Sequence, residues 1–422
     1  MTTDGTSQAP ILRLHHGDQL KVNVHNDLPP ANDAPLPGPG VCGASAPTPT
    51  STNLHMHGAL VPPVCHEDDI INTIVNSGET FAYDITIPSQ QPPGLYWYHP
   101  LVYTTAKAQL DGGATGAYVV EGIENVQPLV GGLPEQIFVF RHEELLFEDF
   151  TSAMPDEDLS INHIPIPYPD YPTPTYRMKP GEMQFWRVAN TMASTTLDIQ
   201  LLYGTVPQNM IGIARDGQVF GSHQNATVVN STHWRVPVGG RIEFIVEGPS
   251  QGVPAQLLTL STTDPGQFGS PGRPLLTIVA DVNAATPSVI IPMPSSSTPL
   301  PRLPQDVLLL TPVATRNLDF VIQDTGLYLT VRGQPNIPYL NQSWPMVNAT
   351  QGTVEDWIIT NPTNVSRPFH INQLHFLLLE KDGVAVSSDD EQYMDVILVE
   401  TNSSVKIRLD FTGNFMYEYS SK

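Results

Sequence analysis

The amino-acid sequence predicts an all-β protein of several sandwich domains, and three observations lead to that fold class. The 422 residues contain 42 prolines and 31 glycines, a density that disfavours long helices and favours short strands joined by turns. Alternating apolar segments of strand length recur along the whole chain. A chain of this length also has room for two to four domains, each with its own core.

The predicted strands follow one another at short spacing. The first two form a strand, turn and strand over residues 11–24, with the turn at Gly17 and Asp18. Eight further strands are predicted at 81–87, 117–122, 136–141, 183–190, 241–248, 274–280, 355–361 and 405–411. No amphipathic segment of ten or more residues has helical periodicity. Many short strands at this spacing are typical of β-sandwiches.

A short phrase recurs along the sequence and indicates an internal repeat. It is a glycine turn, most often Gly-Asp or Gly-Glu, followed by an alternating strand. The copies read HHGDQLKVNVHN, NSGETFAYDITI, KPGEMQFWRVAN, PVGGRIEFIVEG and NATQGTVEDWIITN. Repetition at domain-like intervals predicts one sandwich plan used three times. With boundaries at 131–134 and in the proline-rich segment 292–304, the predicted domains are 1–130, 131–295 and 296–422.

The charge and hydropathy of the chain exclude several classes of partner. The formal net charge is −23 at pH 7, so nucleic acid and membranes are not expected as partners. No apolar run approaches the roughly 18 residues that a membrane-spanning helix needs. The sequence also lacks a phosphate-binding loop, a dinucleotide fingerprint and a GxSxG nucleophile turn. His142-Glu143-Glu144 lacks the second histidine of an HExxH zinc motif, and we interpret it as the polar end of a strand.

Two features predict a secreted glycoprotein. Six Asn-X-Ser/Thr sequons occur, at Asn225, Asn230, Asn341, Asn348, Asn364 and Asn402. Cys42 and Cys65 flank a loop rich in proline and glycine, and in an oxidising compartment they would pair; two free buried thiols are the alternative. The first residues lack the basic and apolar regions of a signal peptide, so we expect such a segment to have been removed already.

Three short segments contain the residues with metal-binding chemistry. TNLHMHG, at 52–58, places His55 and His57 two residues apart on a strand, so both imidazoles face one side and can reach one metal. An isolated pair of this kind is more often incidental. The second segment, PGLYWYHP at 93–100, ends with His99 and leads into the glycine-rich strand GGATGAYVVEG. The third, RPFHINQLHF at 367–376, contains His370 and His375.

Taken in this order, the three segments resemble those of the multicopper oxidases, the family that includes laccases. TNLHMHG is similar to the first HxH block of that family, GLYWYHP with its following strand to the second, and RPFHINQLHF to the block of the third domain. VPPVCHEDD, at 61–69, resembles a subgroup of the family. The resemblance extends over essentially the whole chain. It implies three cupredoxin-like Greek-key β-sandwich domains in series and a set of copper ions.

The chain departs from the ligand pattern that this resemblance implies. The oxygen-reducing copper cluster of the family uses eight histidines in four pairs. The first pair is present as His55 and His57, and the second keeps His99 but has Leu101 as its partner. In the third pair the matching residues are Asn372 and Leu374. His375 is one residue out of register, which on a strand puts it on the face opposite His370 unless a bulge corrects the offset.

The fourth block departs further. Glu418 and Ser420 stand where the resemblance implies histidines, and Tyr419 stands where it implies the cysteine of the blue copper. Of the blue-copper ligands, only His370 has a counterpart. Without a thiolate the blue site is not expected to form, so a full complement of four coppers and conventional laccase activity are not expected.

Four functions remain open on the sequence alone. The first is a non-redox enzyme, of a cyclase, isomerase or coupling-control type, that acts on a phenolic or polyketide-like metabolite. Its acid and base candidates are His370, His375, Glu418 and Tyr419, each of which is individually more often an ordinary surface or interdomain residue. A non-catalytic partner of an active oxidase and a residual copper oxidoreductase are two further alternatives.

The remaining function is that of a protein with one metal ion. His55, His57 and His99 together make a three-histidine site for one copper or zinc ion, with a fourth position open to water. The acidic residues 67–69 could orient such ligands by hydrogen bonds, although solvation of the loop after Cys65 is the simpler interpretation of them.

Overall fold

The computed structural model describes residues 9–30, 42, 47–102, 105–143, 155, 157–222, 226–262, 270–295, 307–323, 326–334, 347–388 and 390–411. Strand makes up 46% of the structure and helix 5%. In the described part the α-helices are α1 (Ala106–Asp111) and α2 (Ile123–Val126), with 3₁₀ turns at Pro128–Val130 and Val307–Leu309. The predicted all-β class is confirmed. The described helices do not include one that is long and apolar enough to span a membrane.

The strands are numbered along the chain. The first six are β1 (Leu12–Leu14), β2 (Gln19–His25), β3 (His55–His57), β4 (Thr80–Thr86), β5 (Gly94–His99) and β6 (Gly116–Val120). The next fourteen are β7 (Glu135–Glu143), β8 (Asp158–Ile161), β9 (Ile164–Ile166), β10 (Thr175–Met178), β11 (Met183–Asn190), β12 (Leu197–Tyr203), β13 (Val206–Pro207), β14 (Met210–Arg215), β15 (Gln218–Val219), β16 (Val229–Ser231), β17 (His233–Val236), β18 (Arg241–Glu247), β19 (Ala255–Thr259) and β20 (Arg273–Ala280). The last nine are β21 (Ala314–Gln323), β22 (Gly326–Val331), β23 (Val354–Asn361), β24 (Arg367–His370), β25 (Phe376–Lys381), β26 (Val384–Ala385), β27 (Tyr393–Met394), β28 (Val396–Val399) and β29 (Ser403–Asp410).

The chain divides into two compact units by its internal contacts. Unit 1 consists of residues 1–15, 92–97 and 108–301, and unit 2 of residues 16–91, 98–107 and 302–422. This division does not test the predicted domains 1–130, 131–295 and 296–422, which stay a prediction. Of the predicted proline-rich linker, residues 296–304 lie outside the described residues.

Unit 1 contains a β-sandwich whose two sheets share one core. One sheet has the strand order β15-β14-β18-β11-β7-β8-β9, and the other has the order β10-β20-β19-β12-β13. Trp186 and Phe244 of the first sheet and Leu257 of the second are fully buried in the same apolar cluster. Their burial follows from the alternating pattern, because every second residue of a strand faces the same side.

Unit 2 also has a sandwich core. Its largest sheet has the order β22-β21-β23-β29-β25-β26, and β24 pairs with β28 in a separate two-stranded sheet. Ile359 and Ile407 of the large sheet pack in one apolar cluster with Phe369 of β24 and Val399 of β28. β2 and β4 form a further antiparallel pair in this unit.

The two sandwiches repeat the same local strand plan. In unit 1, β7 runs parallel to β11, which pairs antiparallel with β18. In unit 2, β21 runs parallel to β23, which pairs antiparallel with β29. The next strand in each sheet, β14 or β25, also pairs antiparallel and contains a shift of register. Two copies of the recurring phrase, those in β11 and β23, therefore occupy equivalent strands, whereas the copy in β18 lies on the neighbouring strand.

A second equivalence lies at the end of the phrase. Three copies end with a buried asparagine, which donates its amide N–H to backbone carbonyls and accepts a bond from the backbone N–H two residues further on. The three asparagines are Asn26, Asn190 and Asn361, and the N–H donors to their Oδ1 atoms are those of Leu28 at 3.0 Å, Met192 at 3.2 Å and Thr363 at 3.1 Å. The amide bonds run to Thr50 and Val75, to Thr195 and Val236, and to Val365 and Val399. Each bond set fixes the chain where a strand ends.

Cys42 and Cys65 form a disulfide, with their Cα atoms 5.5 Å apart, so the predicted pairing is confirmed. Cys65 lies in the turn that leads to Asp68. In this turn the backbone N–H of Asp68 donates to the carbonyl of Pro62 at 3.1 Å. The disulfide therefore anchors the segment that carries Asp68.

Candidate metal centre

Three buried histidines come together in unit 2. His55 and His57 are the ends of β3, and His99 is the last residue of β5. Their side chains each offer one nitrogen, and these nitrogens lie within 4.8 Å of one another. The three residues are 0%, 5% and 4% exposed. Two strands, whose residues His57 and His99 are 42 positions apart in the sequence, thus bring three imidazoles together in the interior.

His55 is oriented by a buried carboxylate. Its Nδ1 lies 3.0 Å from each carboxylate oxygen of Asp68, which also accepts bonds from the backbone N–H of Met56 at 3.0 Å and the side-chain amide of Gln373 at 2.7 Å. Because Nδ1 faces a carboxylate, the neutral form of the ring holds its proton on Nδ1 and its lone pair on Nε2. The buried Nε2 of His55 has no hydrogen-bond partner among the described residues. A buried nitrogen in that state is suited to a metal ion.

His99 has a similar arrangement with a backbone acceptor. Its Nδ1–H donates to the carbonyl of Pro100 at 2.9 Å, and its Nε2 lies 3.4 Å from Nδ1 of His57. Burial, and then the neighbouring His55, hold the pKa of His99 well below its ordinary value. His99 is therefore neutral near neutral pH, which is the state that binds a metal ion.

His370 joins the same group of side chains. Its ring stacks on the ring of His57 with a centroid distance of 3.9 Å and an interplanar angle of 14°, and its centroid lies 6.4 Å from that of His55. We expected His370 to be a counterpart of a blue-copper ligand. The structure instead places it beside the first three histidines, and the four together are called the imidazole cluster.

A buried carboxylate, Asp395, lies behind this cluster. Its side chain is fully buried, with Oδ1 3.6 Å from Nε2 of His57 and Oδ2 3.6 Å from Nε2 of His375. Its backbone carbonyl is 2.8 Å from Nδ1 of His370, whose Nε2 is 2.9 Å from Oδ1 of Asn372. His57, His370 and Asp395 form a second set whose ligand atoms lie within 4.8 Å of one another.

The position of His375 differs from our expectation. The chain between β24 and β25 is a turn rather than a strand, with Gln373 in the left-handed region at φ 57°. A turn does not alternate its side chains, so the expected placement of His375 on the face opposite His370 is wrong. Both histidines contact Asp395, and the turn also brings Gln373 to Asp68.

Comparisons with known proteins agree on one family. A family model described as multicopper oxidase matches residues 307–418. The multicopper oxidase LPR1 homolog 1 of Oryza sativa subsp. japonica is 21% identical over 436 residues, which cover 95% of this chain and 69% of that protein. Residues 307–418 thus match a multicopper oxidase domain, and the chain as a whole is similar to multicopper oxidases.

Solved structures of multicopper oxidases share the fold. A variant of McoA from Aquifex aeolicus has a TM-score of 0.71 at 17% identity and covers 96% of this chain and 83% of its own. The multicopper oxidase of Campylobacter jejuni, described as a metallo-oxidase, has a TM-score of 0.67 at 17% identity, with 97% and 81% covered. At these identities the likeness establishes the cupredoxin-type fold and nothing finer.

The side chains of this protein lack the donors of a blue copper but include donors that suit a copper or zinc ion held by imidazoles. The chain has two cysteines, and both are in the disulfide, so this chain has no cysteine thiolate for a blue copper. His55, His57 and His99 of the imidazole cluster supply imidazole nitrogens, which suit copper and zinc. The buried Nε2 of His55 is the specific sign of such a site.

The other residues that the sequence analysis singled out do not belong to the imidazole cluster. Glu418 and Tyr419 lie outside the described residues. Of the acidic residues after Cys65, Asp68 contacts His55, whereas Asp69 bonds to Asn72. Leu101, at the position of a missing histidine, donates its backbone N–H to Asn53 at 2.6 Å.

Sequence reasoning missed Asp395 and Gln373. Asp395 lies in the apolar run YMDVILV, where a single carboxylate between buried apolar residues signals a bonded or ligand-facing group. Gln373 had no such signal, because its role depends on a left-handed turn that glutamine rarely forms.

Proposed function

We propose that this protein, which is similar to multicopper oxidases, binds one copper or zinc ion in its imidazole cluster and acts on a small molecule without reducing oxygen. His55, His57 and His99 are the proposed ligands. The observation that carries the proposal is the meeting of three buried imidazoles in which Nε2 of His55 lacks a hydrogen-bond partner among the described residues. A buried polar atom without a partner costs about 1–3 kcal/mol, which a bound ion would offset.

Each proposed ligand is set for the ion by a neighbour. Asp68 accepts from Nδ1 of His55, and the carbonyl of Pro100 accepts from Nδ1 of His99. Such outer bonds fix the tautomer and raise the basicity of the free nitrogen. Copper is favoured over zinc at an all-imidazole set by the usual order of metal affinities. Multicopper oxidases bind copper, which supports the same choice.

A bound copper or zinc ion would supply Lewis acidity to a ligand in its open position. His370 is the acid or base candidate beside it, since its ring stacks on His57. The carbonyl of Asp395 and the amide of Asn372 hold both ring nitrogens of His370 and orient the ring. A non-redox reaction on a phenolic or polyketide-like molecule is consistent with this set of groups, because proton transfer needs no thiolate.

The proposal is tested by metal analysis of purified protein and a His57→Ala variant. Chelator-treated wild-type protein should take up one more equivalent of Cu²⁺ than His57→Ala, because the variant lacks a central ligand. His25→Ala is the matched control, since His25 is a half-exposed histidine of unit 2 that contacts Thr80. It should bind as the wild type does.

Two results would contradict the proposal. Four copper ions with strong blue absorption would indicate a complete oxidase. Equal uptake by the wild type and His57→Ala would show that the imidazole cluster is not a metal site. A protein that binds no metal and turns over no phenolic substrate, but changes the products of an active oxidase, would instead support the partner role.

We also propose that the chain is secreted and glycosylated. The disulfide is consistent with an oxidising compartment. The four described sequon asparagines, Asn230, Asn348, Asn364 and Asn402, are all exposed, while Asn225 and Asn341 lie outside the described residues. Expression through a eukaryotic secretory route should give a mass that falls on treatment with an endoglycosidase.

A further inference from the structure

A second group of metal-binding side chains lies in unit 1. Asp111 is the last residue of α1, His142 is in β7, and Glu157 directly precedes β8. β7 and β8 pair antiparallel, with His142 opposite Leu159, so Glu157 is held near His142 by the sheet itself. One ligand atom from each of the three residues lies within 4.8 Å of the others. We call these three residues the carboxylate cluster.

The contacts inside this cluster are close. Nδ1 of His142 hydrogen-bonds Oε2 of Glu157 and lies 3.8 Å from Oδ1 of Asp111. The side chains of Asp111 and His142 are 24% and 15% exposed, and that of Glu157 is 3% exposed. The cluster is therefore anchored at Glu157 and partly open at Asp111, which gives a small ion a route of entry.

Neutral donors orient the buried carboxylate. The hydroxyl of Thr195 donates to Oε1 of Glu157, and the hydroxyl of Ser194 donates to Oε2 at 2.8 Å. The guanidinium of Arg273 donates to the backbone carbonyl of Glu157 at 3.0 Å. Burial opposes ionisation of Glu157, but the bonds from His142, Thr195 and Ser194 outweigh it and hold the pKa of its carboxyl below the ordinary value.

The donor set defines the class of ion. Two ionised carboxylates with an imidazole in its metal-binding, unprotonated form carry a charge of −2, which matches a divalent cation. Two carboxylate oxygens and one imidazole nitrogen suit Zn²⁺ and Mn²⁺, whereas an all-nitrogen set suits copper. Hydroxyl donors behind a ligating carboxylate are typical of the outer bonds of metal sites.

We propose that Asp111, His142 and Glu157 bind one divalent cation of the Zn²⁺ or Mn²⁺ class. The ion replaces the proton between His142 and Glu157, and that proton passes to the solvent. It ties the end of α1 to the β7–β8 pair. The carboxylate cluster shares no residue with the imidazole cluster, so this proposal does not depend on the proposed function.

The experiment uses the His57→Ala protein as its background, so that the imidazole cluster does not compete. Chelator-treated protein is titrated with Zn²⁺ against a chromophoric chelator, and its thermal midpoint is measured with and without the ion. One equivalent should bind and raise the midpoint. Adding Asp111→Asn should weaken binding at least tenfold and remove most of the rise in midpoint, because one of the two charged ligands becomes neutral.

Two further variants keep the outcome decisive. Asp170→Asn changes an exposed carboxylate of unit 1 and should bind as the background does. Glu157→Gln should lose binding as Asp111→Asn does, and the midpoint of each variant without metal reports whether it folds. Absence of Zn²⁺ and Mn²⁺ binding in the His57→Ala background, or equal affinity of Asp111→Asn and Asp170→Asn, would overturn the proposal.

Discussion

The imidazole cluster of unit 2 and the carboxylate cluster of unit 1 are both compact enough to hold one ion, but they distribute charge in opposite ways. In the imidazole cluster the candidate ligands are imidazole nitrogens, and the carboxylates of Asp68 and Asp395 lie behind them. In the carboxylate cluster the charge lies on the ligands Asp111 and Glu157, and the groups behind Glu157 are neutral hydroxyls.

This difference governs what each cluster can bind. Neutral nitrogens with carboxylates behind them favour copper and zinc, because the carboxylate strengthens the nitrogen donor without competing for the metal. Carboxylate oxygens favour harder divalent ions. A carboxylate also remains able to bind a metal ion at a lower pH than an imidazole does, because its pKa is lower. The two clusters should therefore respond differently to the same perturbation.

The largest difference is expected on loss of the disulfide, which belongs to unit 2. Replacing both cysteines, Cys42→Ser with Cys65→Ser, frees the turn that carries Asp68 and should lower the free energy of unfolding by about 3 kcal/mol. Urea denaturation of the metal-free protein measures this change. Copper affinity of the imidazole cluster should fall, while Zn²⁺ affinity of the carboxylate cluster, measured with His57→Ala added, should not change. A double variant as stable as the wild type would show that the Cys42–Cys65 disulfide does not stabilise the folded protein.

A smaller effect is expected from Asp68→Asn. The substitution keeps the shape of the side chain but removes its charge and one of its two acceptor oxygens, so Nδ1 of His55 loses a strong partner. Removing such an outer partner typically costs about 10–100-fold in metal affinity. Asp69→Asn is the matched control, because Asp69 bonds to Asn72 and not to a histidine. Competition titration with Cu²⁺ measures both variants, and equal affinities would separate Asp68 from metal binding.

The smallest effect is expected from pH, acting through His99. The unfolded chain binds a proton at this residue below about pH 6.5, whereas the folded chain does so only at lower pH because the pKa of His99 is lowered. The free energy of unfolding of the metal-free protein should therefore fall as the pH drops below about 6.5, by at most about 1.4 kcal/mol per pH unit for one proton.

The matching test is a His99→Gln variant, whose free energy of unfolding should depend less on pH between about 5 and 6.5. Glu157 in the carboxylate cluster provides the contrast. Its pKa is lowered from 4.5, so its contribution to stability is complete above about pH 4.5 and is lost only below that value. If the free energy of unfolding depends on pH equally in the wild type and in His99→Gln, His99 is not the group that causes this pH dependence.

The fold could be read from the sequence to a large extent because its signals are local. The phrase MQFWRVAN predicts a strand at 183–190, and β11 covers those residues. The HxH pair and the histidine of YWYHP also needed no more than strand alternation and short motifs. The turn at Gly17 was predicted too, but its flanking strands pair with β6 and β4 rather than with each other. Pairing depends on distant residues, which a local pattern does not contain.

The rest of the candidate sites depends on tertiary geometry. Asp395, which lies between β27 and β28, approaches His57 from more than 300 residues away in the sequence. The left-handed turn at Gln373 also breaks the alternation of side chains that a strand would give. Asp111, His142 and Glu157 are separated by 31 and 15 residues with no motif that links them. His142 was interpreted as a polar strand end, and it does lie near the end of β7. The approach of Glu157 depends on the pairing of β7 with β8, and that of Asp111 on the packing of α1, neither of which a local pattern contains.

The asparagine that ends three of the strands has a consequence for how the molecule arose. In all three segments its amide donates to backbone carbonyls and its oxygen accepts from a backbone N–H, so most residues around it can change while the asparagine itself cannot. Asn26, Asn190 and Asn361 are thus fixed points in stretches whose sequences have otherwise diverged. Gene duplication followed by long divergence would leave such an arrangement. The three asparagines also give reference positions for aligning the three segments, whose sequence identity is too low for alignment by itself.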